Sequence, residues 1–278
     1  MDTDHPEKTS DLPSLPEPVC RILQAYLAQM DAHLPDILSG LYLVGSIALD
    51  GYDPKFSDID YVAVLSRPLT KTELTHLARV HREIEKAHPR AKLSGSYLQP
   101  ADLGGLPEQV APHPYYQDGL LYTAGHFELN PVTWWILKQR GITLRGPAAQ
   151  ALPFSADWER LAAYLKHNLN TYWLSWTKRL DGRLVMLSDW GIQWTVLGVV
   201  RLYYSLREKD ITTKIEAGEY ALQHLPPEWH PLIHEALRIR RGEAGSAYRW
   251  RLGRAREARR FLGYIIQEGN AGKNPPHP

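Results

Sequence analysis

The stretch GSIALDGYDPKFSDIDYVAV, residues 45–64, follows the apolar run Leu41–Val44 and itself ends in an apolar run. Gly-Ser directly after a strand allows a sharp turn, because glycine tolerates backbone conformations that other residues resist. The amides of such a turn and the serine hydroxyl can approach an anion closely, and phosphate is the natural occupant. The sequence therefore predicts an anion-binding turn at Gly45 and Ser46.

Two aspartates, Asp58 and Asp60, stand at the start of the second apolar run. Residues two apart on one strand project from the same face of a sheet, so we expect the two carboxylates to lie close together. Close carboxylates repel each other unless a cation lies between them, and Mg²⁺ is typically bound by one or two carboxylates together with substrate phosphates. Either motif alone is common in surface turns, but together they form the layout of a nucleotidyl-transfer site.

The composition is that of a globular protein, with 278 residues, 44% hydrophobic residues and a net charge of +1. No run of about 18 apolar residues occurs, and the polar, proline-rich start lacks the features of a secretory signal. We therefore expect a cytoplasmic protein with no membrane partner. The single Cys20 excludes an internal disulfide and a cysteine-based metal site. The balanced charge gives no reason to expect nucleic acid as a partner.

The charge is uneven near the C-terminus, where the segment Arg238–Arg260 contains nine arginines and two glutamates. The plain interpretation is the solvated face of a helix. The alternative is a surface that meets phosphate, because the arginine fork fits phosphate oxygens. No motif of a nucleic-acid-binding fold accompanies the run.

The chain has two regions of different texture. Residues 18–150 alternate short apolar runs with helix-like stretches, which predicts an α/β domain with a mixed sheet. Residues 151–268 carry apolar residues at helical spacing and predict an all-α helical bundle, with the boundary at GPAAQALPFS, residues 146–155. Residues 1–17 and 269–278 are predicted to be disordered. The elements predicted in the first region are helices at Val19–His33 and Thr70–Ala87 and strands at Leu41–Val44, Tyr61–Leu65 and Ala91–Leu98.

The segment LVGSIALDGYDPKFSDIDYVAVL, residues 43–65, resembles the nucleotidyltransferase motif of the polymerase-β-like superfamily. From about Leu41 to Arg241 the chain is similar to the aminoglycoside (3'')(9) adenylyltransferases, on TLRGPAA at 143–149, VVRLYYS at 199–205 and TTKIEAGEYALQHLPPEWHPLIHEA at 212–236. This resemblance implies a polymerase-β-like nucleotidyltransferase domain followed by an all-α domain. It also implies a monomeric enzyme that transfers AMP from ATP, with Mg²⁺, to a hydroxyl of a small acceptor such as spectinomycin or streptomycin.

The resemblance implies roles for residues of the first domain. Asp58 and Asp60 would bind Mg²⁺ and so carry catalysis. Gly45 and Ser46 would contact the phosphates of ATP, and Ser57 would lie beside the metal-binding pair.

The resemblance extends to the helical domain but fails at one catalytic position. Arg201 matches an arginine near the nucleotide, and Lys214 matches a lysine that contacts the triphosphate. The residue in the place of the family's catalytic glutamate is Ser94, and serine is a poor base near neutral pH. Tyr115 and Tyr116 are loose counterparts of an aromatic residue that packs on the drug.

The acceptor side departs from the family as well. Asp189 stands alone where the streptomycin-modifying members carry two aspartates, and Arg240 takes the place of a tyrosine. Two alternatives to a small-molecule transferase therefore stay open. One is a nucleotide-binding protein that has lost the transfer step, and the other is an enzyme that transfers AMP to a protein or a tRNA.

Overall fold

The computed structural model describes residues 15–271, of which 180, 181 and 183 are described as backbone only. The chain divides into two compact units. The first contains the described residues up to Ala48 together with Ser57–Phe154. The second contains Leu49–Phe56 and the described residues from Ser155 onward.

A six-stranded mixed sheet forms the centre of the first unit, as the predicted fold class requires. Along the sheet the strands lie in the order β5-β4-β3-β2-β1-β6. β2 and β3 pair in parallel, and every other neighbouring pair is antiparallel. The strands are β1 (Leu38–Leu43), β2 (Ile59–Leu65), β3 (Leu93–Leu98), β4 (His113–Gln117), β5 (Leu120–Gly125) and β6 (Ile142–Arg145).

Four α-helices belong to the described part of the first unit: α1 (Glu17–His33), α2 (Gly45–Ala48), α3 (Lys71–Ala87) and α4 (Pro131–Arg140). The start of α3 is fixed by a capping box, in which Thr70 accepts from the Glu73 amide and the Glu73 carboxylate accepts from the Thr70 amide. Asn130 caps α4 by accepting from the next two free amides. The N-terminal ends of α3 and α4 are therefore determined by local sequence.

A buried hydroxyl network joins α1 and α3 to one face of the sheet. The Tyr97 hydroxyl lies 2.7 Å from that of Tyr26, 2.8 Å from that of Tyr61 and 2.5 Å from His81 Nε2. Burial raises the pKa of Tyr61 and Tyr97, so the phenols stay neutral. The imidazole of His81 stacks on Tyr116 with ring centroids 3.6 Å apart. The network therefore fixes β2 and β3 from the sheet face that packs against α1 and α3.

The first unit should lose stability in acid because of His81. Burial lowers the pKa of His81 to about 3, whereas histidine in an unfolded chain titrates near 6.5. The unfolded state therefore takes up the proton first, so this contribution is complete above pH ~6.5 and is lost as the pH falls toward ~3. At pH ~4.5, about two pH units below the unfolded-state pKa, the loss is on the order of 3 kcal/mol.

Urea denaturation of the wild type and of His81→Gln at neutral pH and at pH ~4.5 measures this effect, because other groups titrate alike in both. The free energy of unfolding of His81→Gln should fall less on acidification than that of the wild type. Equal falls would contradict the assignment to His81.

The second unit is helical. Its elements are α5 (Trp158–Asn168), a π-helical turn (Leu169–Trp173), α6 (Leu174–Lys178), α7 (Leu180–Val185), α8 (Asp189–Glu208), α9 (Lys214–His224), α10 (His230–Arg241) and α11 (Arg251–Asn270). α8 packs against α9, α10 and α11 and is the central helix. Its buried side chains, among them Ile192, Val196 and Val200, lie in the core of the unit.

The short segment Leu49–Phe56 belongs to the second unit although its neighbours in sequence belong to the first. The guanidinium of Arg240, at the end of α10, lies over the Phe56 ring at 5.0 Å from the centroid, and Lys55 Nζ lies at the same distance. Arg240 is only 7% exposed. Burial lowers its pKa, and the charge of Asp53 opposes that change. Cation–π contact and a neighbouring carboxylate thus stabilise this buried cation.

Three outcomes concern the predicted elements. All five predicted elements are present, with ends shifted by up to three residues, but α2, α4, β6 and the β4–β5 hairpin were not predicted. Its turn is Asp118-Gly119, both with positive φ (50° and 77°), and Asp-Gly is the sequence signal that would have indicated it.

The terminal segments 1–17 and 269–278, predicted to be disordered, fall mostly outside the described residues. Of the residues that are described, Glu17 begins α1 and Asn270 ends α11. Among the described helices, none is long and apolar enough to cross a membrane.

Candidate active site

The Gly-Ser turn lies directly against Asp60. β1 and β2 are antiparallel neighbours, and the Val44 amide donates to the Asp60 carbonyl at 3.0 Å. Gly45 has φ +61°, and a Cβ at this position would lie 2.1 Å from Asp60 Oδ2. Only glycine allows the chain to turn this close to the carboxylate. The two halves of the motif therefore meet in the fold.

Ser46 carries an unpaired polar atom. Its Oγ is buried and has no hydrogen-bond partner within residues 15–271. A buried hydroxyl without a partner is unfavourable by about 1–3 kcal/mol, so an acceptor oxygen bound to this hydroxyl would be stabilising. The hydroxyl lies one residue after the glycine that contacts Asp60, in a position that suits a phosphate oxygen.

Asp60 lies at the start of β2 as predicted, whereas Asp58 lies just before the strand, and the two differ in exposure. Asp58 immediately precedes the strand and is exposed, whereas Asp60 is its second residue and is half-buried. Ser57, beside them, is buried. No group of three or more His, Cys, Asp or Glu side chains that could hold a metal occurs among the described residues. Two carboxylates nevertheless fit Mg²⁺ when substrate phosphates supply further oxygens.

Ser94 is the neighbour of Asp60 on the adjacent strand. The two residues are direct partners in the parallel β2–β3 ladder, so their side chains project from the same face of the sheet. Ser94 is 8% exposed. The position is therefore one from which a carboxylate could approach Asp60, and this chain has a hydroxyl there.

The two tyrosines proposed to contact an acceptor lie on opposite faces of the sheet. Tyr116 is buried on the face of α3, where it donates to Glu85 at 2.5 Å. Tyr115 pairs with Ser96 and so lies on the face of Asp60. Its ring stacks on Tyr122 at 4.6 Å and on Phe127 at 5.1 Å.

Tyr122 and Phe127 were not predicted from the sequence as part of the site. Tyr122 would have followed from the hairpin, because it is the direct cross-strand partner of Tyr115. No sequence signal was found for Phe127. The stack of Tyr115, Tyr122 and Phe127 gives the Asp60 face of the sheet an aromatic surface.

The two predicted phosphate contacts of the helical unit lie on packed neighbouring helices. Arg201 is in the middle of α8 and Lys214 is the first residue of α9. Both side chains are half-buried. A capping box of Thr213 and Glu216 fixes the start of α9 and hence the position of Lys214. Their contact with a triphosphate stays a prediction.

Replacing Gly45 by alanine should damage both the fold and the site. An alanine at φ +61° costs about 1–2 kcal/mol, and the new methyl group must displace the Asp60 carboxylate. We expect a lower free energy of unfolding in urea and weaker MgATP binding by calorimetry.

The matched control for Gly45→Ala is Gly263→Ala in α11, because a Cβ at residue 263 meets nothing within 4 Å. That change should be neutral or stabilising by up to about 1 kcal/mol, since alanine is the better helix former. Wild-type behaviour of Gly45→Ala would contradict the close approach at Asp60.

Comparison with known proteins agrees with this architecture. Residues 170–268 match the family model of the aminoglycoside adenylyltransferase C-terminal domain. The fold is similar to the crystal structure of spectinomycin adenyltransferase AAD(9) from Enterococcus faecialis with ATP and spectinomycin, with a TM-score of 0.66 and 16% identity over 90% of this chain and 98% of that one. No curated protein matches the chain in sequence. Residues 170–268 of the helical unit are therefore similar to the aminoglycoside adenylyltransferase C-terminal domain, and the chain shares the fold of AAD(9) along most of its length.

Proposed function

We propose that the protein transfers AMP from MgATP to a hydroxyl of a small, aminoglycoside-like acceptor. The observation that carries this proposal is the Gly45 turn, which lies against Asp60 and leaves the Ser46 hydroxyl buried and unpaired. The similarity to a protein whose structure was solved with ATP and spectinomycin supports the same substrates. That the protein acts as a monomer in the cytoplasm stays a prediction.

The chain's own residues would bind and orient the nucleotide. The Ser46 hydroxyl and the backbone at Gly45 would donate to phosphate oxygens, while Arg201 and Lys214 would set positive charge against the triphosphate. Asp58 and Asp60 would hold Mg²⁺, with Ser57 beside them. Bound Mg²⁺ would neutralise phosphate charge and activate the attacking oxygen.

In the proposed transfer, a bond forms between the acceptor oxygen and the α-phosphorus of ATP. The bond from the α-phosphorus to the oxygen that bridges to the β-phosphate breaks, and pyrophosphate leaves. Ser94 cannot accept the hydroxyl proton as a carboxylate would, so the proton would pass to water. Catalysis by this chain would therefore depend chiefly on positioning and on stabilisation of charge.

The acceptor would meet an aromatic surface rather than a cluster of free acids. Tyr115 and Tyr122 lie on the sheet face of Asp60 and can pack against a ring. In the helical unit the Asp189 carboxylate already pairs with Arg254 at 2.7 Å. A cationic drug could use Asp189 only by displacing that guanidinium.

A second candidate function is MgATP binding without transfer. The register of Ser94 with Asp60 favours it, since the base position beside the aspartates lacks a carboxylate. Loss of a general base typically costs a factor of about 10²–10⁴ in rate. This candidate predicts saturable MgATP binding with no pyrophosphate release.

Pyrophosphate release and product mass, measured with MgATP and a panel that includes spectinomycin and streptomycin, test the proposal. An acceptor that gains one AMP supports the transferase and identifies the acceptor. MgATP binding with no modified acceptor would support binding without transfer and would contradict the proposal of a small acceptor. Failure to bind MgATP at all would overturn both.

A further inference from the structure

The arginine-rich segment 238–260 divides into two groups in the fold. Five of its nine arginines have partners within the helical unit. Arg238 and Arg254 bond to the buried Glu235 at 2.9 and 2.8 Å, and Arg241 bonds to Glu219 at 2.6 Å. Arg240 and Arg260 lie over the rings of Phe56 and Trp229. These five arginines therefore make contacts within the bundle, although Arg241 and Arg260 are also exposed to solvent.

Of the other four arginines, Arg259 is half-buried, and three are exposed just before or within the start of α11: Arg249, Arg251 and Arg256. Within the described residues none of them forms an ion pair. Few acidic side chains lie nearby to neutralise them. Glu235 already bonds to two other arginines, and the first turn of α11 contains no acidic residue. Their charge is therefore uncompensated by the unit itself.

Two large apolar side chains lie among these arginines. Trp250 and Leu252 are each 73% exposed, the highest exposure of any large hydrophobic residue described. Burying either would be favourable, so their exposure between unpaired cations needs an explanation. We call Arg249, Trp250, Arg251, Leu252 and Arg256 the Trp250 patch.

We infer that the Trp250 patch binds a single-stranded nucleic acid. The exposed indole offers a face on which a base can stack, and the three arginines offer forks for the phosphates on either side of that base. This combination of one aromatic platform with surrounding cations matches the alternating chemistry of a nucleotide chain. Binding at the patch does not depend on the proposed AMP transfer.

Other anionic partners fit the patch less well. A lipid surface would bury only Trp250 and Leu252, because the neighbouring exposed residues of α11 are Gly253 and arginines. An acidic peptide would satisfy the arginines and leave the indole without a flat partner. The observations therefore favour the nucleic acid, and the other two partners are outcomes of the test.

The test is fluorescence anisotropy of a labelled oligouridylate of about 12 nucleotides, titrated with the full chain between about 50 and 200 mM salt. Three phosphate contacts predict a slope of about −2 in a plot of log K against log salt, at roughly −0.7 per contact. Trp250→Ala should weaken binding by about 5- to 150-fold, and Trp250→Phe should retain most of the affinity. Arg251→Gln should reduce the magnitude of the slope by about 0.7.

Matched controls separate the patch from general surface effects. Leu184→Ala removes another apolar side chain, 68% exposed, and Arg90→Gln removes another exposed arginine. Both variants should bind as the wild type does.

Several results would overturn the inference. One is that the oligonucleotide does not bind at low salt. Another is that the control variants lose as much affinity as the patch variants. A third is that base-free polyphosphate competes for binding while Trp250→Ala has no effect. Binding to phosphatidylserine vesicles but not to the oligonucleotide would assign the patch to a lipid surface instead. Binding to an acidic peptide but not to the oligonucleotide would assign it to a protein partner.

Discussion

Asp60→Asn should abolish most AMP transfer while the protein stays folded. The carboxylate lies against the Gly-Ser turn and would hold Mg²⁺ on the triphosphate, whereas an amide keeps the shape and removes the charge. Loss of one preorganised charge-stabilising group typically costs about 10²–10³-fold in rate. Pyrophosphate release at saturating MgATP, with the acceptor found by product mass, measures the change.

The control for Asp60→Asn is the same chemical change at Asp118. That residue is exposed in the turn of the β4–β5 hairpin with φ 50°, a conformation that asparagine also adopts readily. Asp118→Asn should leave the rate unchanged. If Asp60→Asn retained a rate within about twofold of the wild type, a role for the paired aspartates in transfer would be untenable.

Ser94→Glu should have the largest effect in the opposite direction. Because Ser94 is the direct ladder partner of Asp60, a glutamate there places a third carboxylate beside the proposed metal site. It could accept the proton of the attacking hydroxyl, and general bases contribute about 10²–10⁴-fold. We expect transfer to be accelerated by at least about 10²-fold, measured by the same pyrophosphate assay.

Ser94→Glu should also make stability depend on Mg²⁺. Like charges on neighbouring strands repel, so the variant should unfold at a lower temperature than the wild type without the metal and recover when Mg²⁺ is added. Ser94→Gln is the control, because it has the same size without charge and should show neither effect. A rate for Ser94→Glu no higher than that of Ser94→Gln would show that position 94 is not a base position in this chain.

The candidate site could be predicted largely because its signals are local. The turn at Gly45 and the pair at Asp58 and Asp60 lie within 20 consecutive residues, and antiparallel pairing of β1 with β2 brings them together. The register of Ser94 with Asp60 is different in kind. It depends on parallel pairing across a helical connection, which no periodicity in the sequence specifies.

The β4–β5 hairpin was missed because its outer strand lacks a buried face. Four of the six residues of β5 are exposed, so no alternation of apolar and polar residues marks the strand. The hairpin could have been inferred from Asp118-Gly119 alone. Its aromatic stack, which gives the Asp60 face its rings, was therefore outside the sequence prediction.

The partners of the arginines could not be read from the sequence. The run 238–260 suggests one charged surface. In the fold, however, Glu235 pairs with arginines 3 and 19 residues away, and Arg240 lies over the ring of Phe56, which is distant in sequence. Burial of a cation requires a partner that only the tertiary fold supplies. The composition of the segment 238–260 therefore predicted more unpaired surface charge than the fold has. It also gave no indication that Trp250 is exposed.

The assignment of Leu49–Phe56 to the helical unit limits how this protein can be divided. A fragment that begins at Ser155 would keep Arg240 but lose the Phe56 ring beneath it and the carboxylate of Asp53. A single exchange point at Ser155 would likewise separate Arg240 from the ring that it contacts. Exchange of the whole second unit therefore needs three junctions, one on each side of Leu49–Phe56 and one before Ser155, so that the eight-residue segment is exchanged together with its helices.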